Sequence, residues 1–85
     1  MSKKQKLLQQ VLNNPKNVSF KDMVSLVEAF GFTLARVNGS HHIFTHPDIP
    51  ERVNIQSVKG NAKSYQVRQF LTLVEINNLG LEEDV

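Results

Sequence analysis

Apolar residues recur at helical spacing at the start of the chain, with Leu7, Leu8, Val11 and Leu12 forming one stripe within residues 3–13. That period predicts an amphipathic helix. Asn13-Asn14-Pro15 closes it, because proline supplies no N–H to the ladder and restricts the residue before it. Ser19-Phe20-Lys21-Asp22 then has the form of a capping box, with Val18 in the position of a hydrophobic staple. A second helix is predicted from Phe20 to about Phe30, burying Phe20, Met23, Val24, Val27 and Phe30. Gly31 follows it, where a left-handed cap favours glycine.

The period then changes from helical to alternating. Phe32-Thr33-Leu34-Ala35-Arg36-Val37 predicts a strand with Phe32 and Leu34 inward, and Asn38-Gly39 signals a type I′ hairpin turn. A second strand is predicted from His41 to about Thr45, closed by His46-Pro47-Asp48. A loop over Pro47–Arg52 leads to a third strand at Val53-Asn54-Ile55-Gln56. Lys59-Gly60-Asn61 is another turn, and a last helix runs from about Ser64 to Asn77 with Val67, Phe70, Leu71 and Val74 on one face. Leu79 and Leu81 extend that packing beyond the helix.

These elements predict an α+β fold, a three-stranded antiparallel sheet packed against two helices in the order α-β-β-β-α, with an additional N-terminal helix. The order is that of a double-stranded-RNA-binding domain. Eighty-five residues suffice for one domain only. Residues 1–18 form the helix and linker, 19–78 the core of the fold, and 79–85 a tail.

Composition narrows the chemistry. Cysteine is absent, which removes disulfides and any thiolate nucleophile or ligand. No apolar run approaches the length of a membrane span and no signal-peptide pattern opens the chain, so a soluble cytoplasmic protein is expected. The net charge is +2, but the acids Glu82, Glu83 and Asp84 are gathered in a tail expected to fray. The rest carries ten basic against five acidic residues, which suits a polyanionic partner as well as it suits an ordinary solvated surface.

All three histidines fall within six residues, in Gly39-Ser40-His41-His42-Ile43-Phe44-Thr45-His46-Pro47. Histidine titrates near neutral pH and is the natural proton carrier there. Alternation on a strand sends His41 and His42 to opposite faces, and His42 and His46 lie about 13 Å apart along it, so a shared metal is disfavoured. A single catalytic histidine is the sharper reading. RNA brings its own nucleophile, the 2′-OH, so cleavage without metal needs proton transfer and stabilisation of charge at the phosphate. Arg36, Lys59, Lys63 and the amides of Gly39 and Ser40 are the candidate neighbours. Lys59-Gly60-Asn61-Ala62-Lys63-Ser64-Tyr65-Gln66-Val67-Arg68 puts cations at a helix start, which fits either a phosphate site or a plain capped helix. P-loop, Rossmann and serine-hydrolase patterns are missing, and the carboxylates are scattered.

From about Ser19 to Phe70 the chain resembles the HicA family, small mRNA-interferase toxins of bacterial toxin–antitoxin pairs. The likeness is carried by the helix ending in Gly31-Phe32, the strand with Arg36, and Gly39-Ser40-His41-His42-Ile43-Phe44 with His46-Pro47. It implies a metal-independent endoribonuclease without cofactor, neutralised by a HicB-like antitoxin. Residue by residue, the family's catalytic histidine falls on His41, with His42 the second choice. RNA-binding roles are expected of Arg36, Gly39, Ser40, Lys59, Lys63 and Arg68. A non-catalytic RNA-binding or antitoxin-binding module using the same surface is the alternative. The N-terminal helix and the third-strand sequence Val53-Asn54-Ile55-Gln56-Ser57-Val58 depart from the family pattern.

Overall fold

The computed structural model describes residues 3–82. Its elements are α1 (Lys3–Asn13), α2 (Phe20–Ala29), β1 (Thr33–Asn38), β2 (His41–His46), β3 (Ile49–Val58), β4 (Asn61–Ala62) and α3 (Ser64–Ile76). The strands form an antiparallel sheet in the order β1-β2-β3-β4. Four strands replace the three expected from the sequence. The fourth is two residues long, too short to show alternation, and pairs Ala62 with Ser57 and Asn61 with Val58.

Both turns flanking the central strands follow from backbone sterics. The β1–β2 loop is Gly39-Ser40, not Asn38-Gly39, because Asn38 pairs with His41. Only Gly39 has positive φ there, the pattern of a type II′ turn. At the β3–β4 loop both Lys59 and Gly60 have positive φ, so the type I′ pattern falls there instead. The stretch expected to be a loop over Pro47–Arg52 is mostly strand: β2 and β3 meet at the pair His46 and Ile49, and Pro47-Asp48 is the turn. β4 covers only the far end of β3, so Pro50 sits where its missing N–H breaks no ladder with a fourth strand.

Helices cover one face of the sheet. Met23, Leu26, Val27 and Phe30 of α2 and its cap meet Phe44, Val53 and Ile55 of the sheet and Val67 and Phe70 of α3 in a single buried cluster. Phe32 fills the gap before β1, with its ring 5.5 Å from that of Phe70. Burying a side chain of this size contributes about 1.5–3 kcal/mol. α1 adds Val11 to the cluster, with Leu7 and Leu8 beside it. Two expected core positions fail: Leu34 is 47% exposed on the edge strand, beyond the reach of the helices, and Leu12 is 49% exposed.

Local signals at the helix ends hold well. The Ser19 hydroxyl accepts from the Asp22 N–H at 3.1 Å, and Val18 and Met23 lie buried in the same cluster. Gly31 ends α2 with φ +94°. Lys63 is the N-cap of α3 and makes no side-chain capping hydrogen bond. At the tail, the Glu82 N–H donates to the Ala29 carbonyl at 2.7 Å and Lys4 Nζ donates to the Glu82 carbonyl. Glu83 and Asp84 lie outside the described residues.

Candidate active site

Strand β2 sorts the histidines by parity. Residues opposite one another across an antiparallel pair share a face. His42 is opposite Ile55 and Phe44 opposite Val53, and Ile55, Phe44 and Val53 are all buried. The inward face of β2 therefore carries His42, Phe44 and His46. His41, Ile43 and Thr45 face the other way.

On that open face a cleft of about 530 Å³ is lined by Ala35, Arg36, Asn38, His41, Ile43, Thr45 and Arg52. His41 is half-buried at the first position of β2. Its Nδ1 lies 3.1 Å from Asn54 Nδ2 and 3.3 Å from Asn54 Oδ1 on the neighbouring strand. Two guanidiniums and one imidazole thus line a single depression, and among the described residues no carboxylate does. A phosphodiester bears its charge on oxygens that guanidinium forks match, and the imidazole is available to carry a proton.

The inward histidines are used differently. The His42 ring meets Phe20 edge-on at 4.7 Å, and its Nδ1 is 3.4 Å from the Ser40 carbonyl oxygen. The His46 ring meets Phe32 at 5.0 Å. His46 Nδ1 accepts from the Asp48 N–H at 3.0 Å, which requires the neutral ring to carry its proton on Nε2. Across the described residues, no three His, Cys, Asp or Glu side chains converge as metal ligands.

Of the expected phosphate contacts, only Arg36 lines the cleft with His41. Gly39 and Ser40 form the adjoining turn, and the Ser40 carbonyl accepts from the Ser57 N–H at 3.1 Å. Lys59 belongs to the β3–β4 turn. Lys63 sits at the start of α3 with its ammonium 5.8 Å from the centre of the Tyr65 ring, and Arg68 lies one turn on, 3.5 Å from the Ser64 hydroxyl. These three are cations of the helix-capped end and do not line the cleft.

The sequence pattern singles out neither Arg52, which lines the cleft, nor Asn54, which contacts His41 without lining it. Arg52 was assigned to a loop, yet extending the β3 alternation back from Asn54 places it on the outward face. Asn54 lies two residues on, on the same outward face of β3. Gln66 is a third surprise, a buried polar side chain whose Oε1 accepts from the Gln56 N–H at 2.6 Å. It prolongs the sheet's hydrogen bonding where β4 stops.

The elements thus define a small α+β domain with one helix-covered face and one open basic face built around a histidine. The sequence profile of the HicA toxin of bacterial toxin–antitoxin systems matches residues 20–76, and the chain belongs to that family, whose members are generally mRNA-cleaving endoribonucleases. No curated protein matches the chain. The matched span begins at α2 and ends with α3, so α1 and the segment after α3 lie outside it. No helix of the described residues is long and apolar enough to cross a membrane.

Proposed function

We propose that this chain is an endoribonuclease toxin that cuts mRNA in the cytoplasm without a metal, using His41 as its general acid–base group. The observation that carries the reading is the outward cleft in which His41 lies with Arg36 and Arg52. RNA strands laid across this face bring a phosphate to the guanidiniums and a 2′-OH to the imidazole. His41 takes the 2′ proton as the oxygen attacks phosphorus, and its imidazolium returns that proton to the 5′-oxygen as the bond from phosphorus to that oxygen breaks. Arg36 and Arg52 stabilise the charge that builds on the phosphoryl oxygens. The products are a 2′,3′-cyclic phosphate and a 5′-hydroxyl.

The order α2-β1-β2-β3-α3 supports a double-stranded-RNA-binding-like fold for residues 19–78, within a single domain. A HicB-like antitoxin is the partner we assign. It would restrain the enzyme by covering the cleft with acidic groups that compete with phosphate, an attraction that weakens as salt rises when the charges lie at the rim.

The test is cleavage of a defined RNA by purified protein in excess EDTA, with the product ends identified. The reading expects cyclic-phosphate ends from the wild type and none from His41→Ala. A strict divalent-metal requirement or 3′-hydroxyl ends would overturn it. RNA binding without cleavage by the wild type would establish the non-catalytic module instead.

A further inference from the structure

We propose that Asn54 is a positioning residue for His41, holding the ring at Nδ1 through its side-chain carbonyl so that Nε2 is the nitrogen offered to the substrate oxygen. This rests on the reading of His41 as the acid–base group. His41 opens β2 opposite Gln56, and Asn54 stands two residues along β3 on the same outward face. Its amide edge lies against the ring, with Nδ1 3.1 Å from the amide nitrogen and 3.3 Å from the amide oxygen. One nitrogen of His41 is therefore engaged and the other is left for chemistry.

Chemistry decides which end of the amide works. An imidazole that first removes a proton at Nε2 and then returns it must pass through the imidazolium, which carries N–H on both nitrogens. With the amide NH₂ against Nδ1, the neutral ring is the Nε2–H tautomer, which has no lone pair at Nε2 to act as base. The imidazolium would then set two donors face to face. With the carbonyl against Nδ1, the neutral ring carries Nδ1–H and a bare Nε2, and the imidazolium keeps the same hydrogen bond. Only the second orientation serves both halves of the cycle. The other charged groups lining the cleft among the described residues are Arg36 from β1 and Arg52 from β3, while Glu51, next to Arg52, lines a separate depression with Arg52 and Asn54. Neither guanidinium can accept from Nδ1–H. Asn38 and Thr45 also carry oxygens in the cleft, but the side-chain oxygen placed against Nδ1 is that of Asn54, at 3.3 Å.

Asn54 is exposed, so replacing it removes little packing. Histidine ¹⁵N NMR on the full chain reads the tautomer directly, and cleavage kinetics read its consequence. The wild type should show neutral His41 as the Nδ1–H form. Asn54→Ala should shift it toward Nε2–H and lower kcat about ten- to hundredfold at nearly unchanged KM, the cost of a loosened reacting group. Asn54→Asp keeps an acceptor and no donor, so it should restore Nδ1–H. Its carboxylate should also move the limb of the pH–rate profile set by His41 to higher pH. Finding the Nε2–H form in the wild type, or an unchanged tautomer and kcat in Asn54→Ala, overturns the proposal. Fully active Asn54→Ala beside inactive His41→Ala refutes the role of Asn54 alone. His41→Ala cleaving at the wild-type rate refutes the acid–base reading beneath it.

Discussion

His41 and His42 are the same residue in adjacent positions, and they live in different chemical worlds. One faces a cleft shared with two guanidiniums and holds a cross-strand amide at Nδ1. The other turns toward the helices and packs its ring on Phe20 at the first turn of α2. A strand assigns successive side chains to opposite faces, so a difference of one residue separates a group placed for chemistry from a group placed for packing. His46, on the same parity as His42, confirms the pattern: its ring lies on Phe32 and its Nδ1 is used to hold the Pro47-Asp48 turn.

The sharpest way to break this contrast is to remove each ring in turn. His41→Ala should cut RNA cleavage about 10²–10⁴-fold while thermal unfolding stays close to that of the wild type, because general acid–base catalysis is lost and little packing goes with it. If cleavage instead survives in His41→Ala and fails in His42→Ala, the inward ring is the reactive one and the assignment of faces is wrong.

Next in size are the guanidiniums of the cleft. Arg36→Ala and Arg52→Ala should each lower cleavage about ten- to hundredfold, less than an enclosed charge-stabilising donor because both side chains are exposed to solvent. Full activity in either variant would remove that residue from the phosphate site.

His42→Ala should act on stability rather than rate. Losing the edge-on contact with Phe20 should cost about 0.5–1.5 kcal/mol in chemical denaturation, with the folded protein still cleaving RNA. An unaltered denaturation midpoint would show that the ring contact contributes nothing.

The smallest effect concerns the cations away from the cleft. Lys59→Ala with Lys63→Ala should weaken binding of a non-cleavable RNA alike at all sequences and flatten its salt slope by about one to two. An unchanged slope would leave them as solvated surface and confine RNA contact to the cleft.

How far the chain announces all this depends on how local each signal is. The three helices were legible because their apolar positions repeat over several turns, and Ser19, Pro15 and Gly31 mark their ends through contacts a few residues long. The divergence of His41 and His42 was legible too, since parity separates them, but which of the two faces outward follows only from the pairing of His42 with buried Ile55. β4 was not, because two residues carry no period and their pairing with Ser57 and Val58 depends on where the β3–β4 turn delivers them. Pro50 obscured the start of β3 by suggesting a loop, and with it hid Arg52.

What the sequence by itself determined is therefore the three helices, three of the four strands, the turn glycines and the parting of His41 from His42, each governed by interactions among near neighbours. Tertiary structure alone decided which cations join that histidine. Arg36 and Arg52 lie sixteen residues apart on strands that flank β2 without pairing to each other, and they share a cleft only through the registers of two strand pairs. It also decided that Leu34 stays open, because inward parity buries a side chain only where a helix lies above it. Asn54 reaches His41 for the same reason of register. Cross-strand neighbours are set by pairing over long chain separations, and no local pattern in the residues encodes that distance.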